Sequence, residues 1–252
     1  MSRLDSIFCS GKKALMPFIV AGDPSLEVTE DAICTMAAAG ADIIELGIPF
    51  SDPIADGPVI AAAMQKVLQN EVTTADIVDL VSRVRSKVDV GLVAMMSYSL
   101  IHRAGWKSCI DAFATAGIDG FIIPDIDVRD AKEVSEYCNE INVSFSMLVS
   151  PTTPIERIEH LASLSSGFLY VLARTGLTGE QKDMPDLAPR MAEIRAVTNL
   201  PLAVGFGISN RDHVQIVQET ADAAIVGSAL VRRMQESSDP ATAASQFVSE
   251  IS

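Results

Sequence analysis

The chain has 252 residues, 48% of them hydrophobic and 21% charged, a balance that supports a large core and excludes a disordered chain. Its formal net charge of −14 at pH 7 argues against sequence-independent binding to nucleic-acid phosphates or anionic lipid, although local backbone donors can still hold a small anion. Four scattered cysteines without a CxxC pair, no apolar run of membrane-spanning length and no signal-peptide plan make a cytoplasmic protein with reduced thiols the expectation.

In chain order, "LDSIF" reads as a short extra helix at the bottom of the fold. Eight short apolar runs follow: "LMPFIVAG", "ADIIELGI", "VGLVAMMSY", "DGFIIPDI", "VSFSMLVS", "GFLYVLA", "PLAVGFGI" and "AAIVGSAL". Each is too short for a typical helix and continuously apolar, as in strands buried on both faces. Helix-period stretches lie between them. "SLEVTEDAICTMAAAG" has Ser25 as cap and Gly40 as stop, and "TTADIVDLVSRVRSK" has Thr73 or Thr74 as cap.

Eight strand–helix alternations in this length predict an α/β fold, a (β/α)8 TIM barrel, as one domain over residues 1–252. A doubly wound open sheet is the competitor, but the first turn, "AGDPS", lacks the dinucleotide-binding pattern. The spacing also predicts an inserted helix at "VIAAAMQKVLQ" after strand two and a polar, glycine-rich loop, "RTGLTGEQKDMPDLAP", after strand six. In a barrel both connections lie at the C-terminal face, where active sites are built.

Glu45 ends strand two inside an apolar run. Unpaired, a carboxylate there is desolvated and suited to acid–base work; paired, it is a structural ion pair. Asp56 and Asp52 stand in the proline-rich "IPFSDPIADGP", where turn chemistry is the alternative for Asp56 and loop shaping for Asp52. Small residues also follow strands six, seven and eight, in "TGLTG", "GFGIS" and "VGSALV". On neighbouring strands they predict a phosphate site made of backbone donors and a helix N-terminus, with Ser228 as the N-cap. Phe18, Phe206 and Tyr170 are candidates for the wall of an aromatic substrate or for plain core. Asp125 supports the site or caps the next helix, Arg174 anchors a lid or is solvated, and the Met-rich "AMMS" reads as core. His102, His160 and His213 lie far apart, so no His-based metal site or triad is expected.

Taken in order and spacing, "PFIVAGDP", "ELGIPFSDPIADGP", "RTGLTG", "AVGFGIS" and "VGSALV" closely resemble the tryptophan synthase α subunit family over essentially the whole chain. The resemblance implies retro-aldol cleavage of indole-3-glycerol phosphate to indole and glyceraldehyde 3-phosphate. It also implies a β-subunit partner in an α2β2 complex, with pyridoxal phosphate only in that partner and no cofactor in this chain. By position, Glu45 falls on the catalytic acid–base residue and Asp56 on the aspartate that binds the indole N–H. Gly179, Gly207, Gly227 and Ser228 fall on the phosphate site. Phe18, Tyr170 and Phe206 surround the indole, and Thr178 is the lid threonine. Pro49 and Asp52 lie on the loop that communicates with β.

Two places depart from the family pattern. Ser97 and Ser99 stand where a tyrosine and an asparagine are usual, with Tyr98 shifted by one, and Asp127 stands at a usual proline. Both places lie near the β-contacting region. The alternatives are therefore a weak α subunit that mainly binds and activates β, and a stand-alone lyase that releases indole. A different phosphate-binding barrel, such as a sugar-phosphate isomerase, fits "ELGIPFSDPIADGP" poorly.

Overall fold

The computed structural model describes residues 2–53, 56–174, 184–205 and 207–252. Nine short strands form one parallel sheet: β1 Ala14–Val20, β2 Ile43–Gly47, β3 Gly91–Met95, β4 Gly120–Ile122, β5 Ser144–Ser146, β6 Leu148–Val149, β7 Leu169–Leu172, β8 Leu202–Gly205 and β9 Ala223–Val226. Around them run α1 Arg3–Cys9, α2 Leu26–Ala38, α3 Pro58–Gln69, α4 Thr74–Arg85, α5 Tyr98–Ala104 and α6 Trp106–Ala116. The second half adds α7 Val128–Glu140, α8 Ile155–Ser163, α9 Ala188–Arg195, α10 Arg211–Thr220, α11 Ser228–Gln235 and α12 Pro240–Ile251.

The sheet order β5-β4-β3-β2-β1-β9-β8-β7-β6 brings its two end strands together in sequence, because β5 and β6 are separated only by Met147. This is the expected TIM barrel, with the expected fifth strand divided in two. Below Met147 that strand pairs with β4, and above it with β7. The join to β7 is completed by hydroxyls: Ser166 Oγ accepts from Phe145 N (3.0 Å) and Ser165 Oγ from Met147 N (3.1 Å).

The strands lack sequence alternation because both faces are apolar. In β1, Ala14 and Met16 belong to the barrel interior, whereas Leu15 and Ile19 pack in the layer shared with the helices. The initial helix closes the bottom as expected. Leu4 of α1 is fully buried with the inner cluster, and Gly91 is required beneath it, since a Cβ there would stand 2.6 Å from the Leu4 side chain.

A repeated device holds this N-terminal end. Asp42, Asp119 and Asp222 each immediately precede a strand, and each accepts a backbone N–H from the strand beside it. The donors are Leu15 (2.9 Å), Leu92 (2.8 Å) and Leu202 (2.8 Å). Each also meets cations: Lys12 at 2.7 Å for Asp42, Arg85 at 3.0 Å together with Arg3 for Asp119, and Lys13 and Arg195 for Asp222.

Helix ends follow the sequence closely. Ser25 caps α2 through Val28 N, and Thr73 caps α4 in a reciprocal box with Asp76. The inserted helix is α3, opened by Gly57 as N-cap and Pro58.

Three expectations are corrected. The third strand stops at Met95, and Tyr98 begins α5 instead of ending the strand. The reason is capping: Ser97 Oγ accepts from Ser99 N, and Asp125 accepts from Tyr98 N (2.7 Å), so the chain turns into a helix at Ser97. Asp125 therefore caps α5, not the helix after its own strand, whose N-cap is Asp127. Ser228 is the first helical residue of α11 and Gly227 its N-cap.

Candidate active site

Glu45 stands in the middle of β2, in register with Phe18 on β1 and Val93 on β3. Its side chain is 0% exposed, and neither carboxylate oxygen has a hydrogen-bond partner among the described residues. Burial pushes this carboxyl up to about 8, with the charge of Asp56 adding to the effect. Among the described residues no structural ion pair holds this carboxylate.

Asp56 reaches the same region from the loop before α3. Its backbone N–H donates to Pro53 O (3.1 Å), a bond that does not use the carboxyl. Burial raises that carboxyl to about 6. The helix that follows seats the loop: Ile60, Met64 and Val67 of α3 pack with Phe18, Val20 and Val231 across the mouth of the barrel.

Tyr170 lies opposite on β7, 4% exposed and within the inner cluster. Burial, then the charges of Glu45 and Asp56, hold its phenol well above its ordinary value, so it stays neutral and able to donate. Gly205 on β8 makes room for it, since a Cβ there would lie 2.5 Å from the Tyr170 hydroxyl. Sequence reasoning did not single out Gly205. Its signal was a glycine at the register position paired with Leu172, two residues beyond Tyr170.

The strands that precede the three small-residue loops are neighbours, β9, β8 and β7. Gly207 is buried with φ +81°, and Gly227 and the 8%-exposed Ser228 open α11. Their position puts backbone donors and the positive end of a helix at the C-terminal face. Thr178, Gly179 and Phe206 lie outside the described residues.

Of the residues named for a partner, Asp52 and Ser99 are exposed, whereas Pro49 is buried. Pro49 therefore shapes the loop from beneath and offers no surface of its own. Arg174 is partly buried, with Nε unpartnered among the described residues. Among the described residues no group of three or more His, Cys, Asp or Glu is placed to hold a metal ion, and no helix is long and apolar enough to cross a membrane.

The chain as a whole has counterparts among known proteins. The family model described as tryptophan synthase alpha chain matches residues 5–251. The chain belongs to that family. Among its curated relatives, the tryptophan synthase alpha chain of Rhodopirellula baltica is 41% identical over 249 residues, covering 96% of this chain and 90% of the relative. That of Caldanaerobacter subterraneus is 40% identical over 233 residues, covering 92% and 88%. In structure, the chain is similar to a chain of Mycobacterium tuberculosis tryptophan synthase, with a TM-score of 0.91, 30% identity and coverage of 99% and 96%. A chain from the tryptophan synthase α2β2 complex of the hyperthermophile Pyrococcus furiosus matches with a TM-score of 0.89, 31% identity and coverage of 95% and 98%.

Proposed function

We propose that the chain cleaves indole-3-glycerol phosphate by a retro-aldol reaction into indole and glyceraldehyde 3-phosphate, as the cytoplasmic α subunit of an α2β2 tryptophan synthase. The observation that carries this reading is the fully buried Glu45, beside Asp56 and without a hydrogen-bond partner among the described residues. At neutral pH the two carboxyls divide the work: Asp56, at about 6, is ionised, and Glu45, at about 8, keeps its proton.

Glu45 delivers that proton to indole C3, which places positive charge on the ring nitrogen. Ionised Asp56 accepts the N–H and stabilises the cation, an effect worth on the order of 3 kcal/mol for a preorganised partner in a water-poor site. The bond from C3 to the glycerol carbon then breaks, and its electron pair returns to the ring. The hydroxyl on that carbon becomes the aldehyde carbonyl and gives its proton to Glu45, which restores the acid. Phe18, Tyr170 and Phe206 flank the ring, and Thr178 belongs to the lid. Gly179, Gly207, Gly227 and Ser228 hold the phosphate and fix the orientation of the scissile bond. Pyridoxal phosphate is assigned to the β subunit alone, and Asp52 and Ser99 to the surface that meets β.

Indole release from indole-3-glycerol phosphate, measured with and without a tryptophan synthase β subunit, tests this function. Release is expected in both conditions and faster with β. No release in either, with β nonetheless stimulated, would replace the lyase by a β-activating subunit. Fast release without any β binding would replace it by a stand-alone enzyme.

A further inference from the structure

A cavity of about 120 Å³ opens beside Asp56, between the loops that follow β2, β3 and β4. Its wall is mainly apolar and includes three methionines, Met64, Met95 and Met96. Apolar cavities on the order of 150 Å³ stay dry and take up benzene, so this one has room for a small apolar group. Thioether side chains repack around such groups more readily than branched ones.

The room exists because of how the chain turns at the end of β3. Ser97 lines the cavity, 8% exposed, with its hydroxyl fixed by donation to Asp125 Oδ2 at 2.6 Å. The aromatic bulk at this turn points elsewhere: the Tyr98 ring packs against His102 at 5.7 Å, and its side chain bonds Asp130 of α7.

We infer that this cavity is a substituent subsite, which lets the chain accept indole-glycerol phosphates bearing a small group on the benzo edge next to the ring N–H. The inference rests on the proposed function, in which Asp56 holds that N–H. Asp56 also lines the cavity, so on the benzo edge the substitutable carbon nearest the nitrogen, C7, faces it. C4, next to C3, faces the enclosed Glu45 instead. Ser97 is then a residue that sets specificity.

The full-length chain, alone and with a β subunit, is assayed for kcat/KM of indole release on the parent, 7-methyl and 4-methyl substrates. The 7-methyl compound is expected within about tenfold of the parent and the 4-methyl compound at least about tenfold lower, the scale of one methyl-sized misfit. Ser97→Phe, which fills the cavity, is expected to cut the ratio of 7-methyl to parent by about tenfold or more. Wild-type chain that cleaves the 7-methyl isomer no better than the 4-methyl isomer overturns the subsite, with no variant needed. So does a Ser97→Phe variant that loses all three substrates in equal proportion. A parent substrate left uncleaved in both conditions is a distinct result: it breaks the proposed function and takes the subsite with it.

Discussion

Both ends of the barrel hold carboxylates close to the strands, and the two ends treat them in opposite ways. At the N-terminal end Asp42, Asp119 and Asp222 each accept a strand N–H and meet at least one Lys or Arg. At the C-terminal end Glu45 has no hydrogen-bond partner among the described residues, and another acid raises its pKa further. Burial opposes ionisation of Asp222 too, but the Arg195 hydrogen bond, the Leu202 N–H and the charges of Arg195 and Lys13 outweigh it and lower its pKa. The difference shows that burial alone does not make a carboxylate reactive. What separates the proposed proton carrier from a staple is the lack of a partner among the described residues.

The comparison can be broken from either end. Glu45→Gln is expected to lower turnover about 10³-fold, within the range for loss of a general acid–base group, while binding of glycerol 3-phosphate measured by calorimetry hardly changes. Residual turnover above a tenth of the wild-type rate would remove Glu45 from its role. Asp119→Ala takes the counter-charge from Arg85, which keeps only the carbonyls of Val88, Val90 and Gly117, and leaves the Leu92 N–H without its acceptor, so urea melts are expected to show a loss of about 3 kcal/mol. Turnover of the folded fraction should stay near wild type. A collapse of turnover without loss of stability would mean that the two ends are not functionally separate.

Acidity sharpens the contrast. With Asp56 needed as the anion and Glu45 as the acid, kcat/KM is expected to rise through about 6 and fall through about 8. Asp56→Asn should lower the overall rate, abolish the acid limb and move the alkaline limb downward, since the Asp56 charge helps to raise Glu45. An alkaline limb that stays in place would uncouple the two groups.

Stability against pH gives the most specific effect. The folded pKa of Glu45, about 8, lies above its ordinary 4.5, so the native state holds the extra proton in that interval and loses stability as pH rises through it. Glu45→Gln should therefore gain on the wild type from about pH 4.5 up to about 8 and level off beyond. Asp222 has the opposite sign. Its lowered pKa gives stability that is present above the ordinary carboxylate range and disappears as pH falls through the folded value. Asp222→Asn should consequently cost more at neutral pH than in acid. Urea midpoints across pH read both, and parallel curves for the two variants would cancel the distinction.

Much of this was legible in the sequence. The eight apolar runs are all strands of the barrel, because a strand buried on two faces leaves an unmistakable continuous run. Glu45 is the one charged residue inside a strand among the described residues. The third run was read too far, through Tyr98, because "MMSY" continues the apolar pattern while the cap that ends it, Asp125, comes from a residue 28 positions away in sequence. The basal aspartates went unnoticed even though each occupies the position before a strand, in "ADII", "IDGF" and "ADAA". A repeat spread over three distant places is hard to see without the ladder that aligns them. The cavity at Ser97 was out of reach for the same reason: its walls come from three connections.

The divided fifth strand has a consequence for how the reaction is assembled. Glu45 and Asp56 come from the chain before Met147, while Tyr170, Gly207 and Ser228 come from the chain after it. Around the ring these halves meet at the β1–β9 ladder and at the point where the fifth strand changes neighbours. On the proposed function, that point joins the half that supplies the two carboxyls to the half that holds the substrate's phosphate. Backbone bonds cross it too, from Ser166 N to Phe145 O (2.7 Å) and from Tyr170 N to Met147 O (3.1 Å), so the Ser165 and Ser166 hydroxyls reinforce a join that the main chain already makes and the two halves are held as one ring.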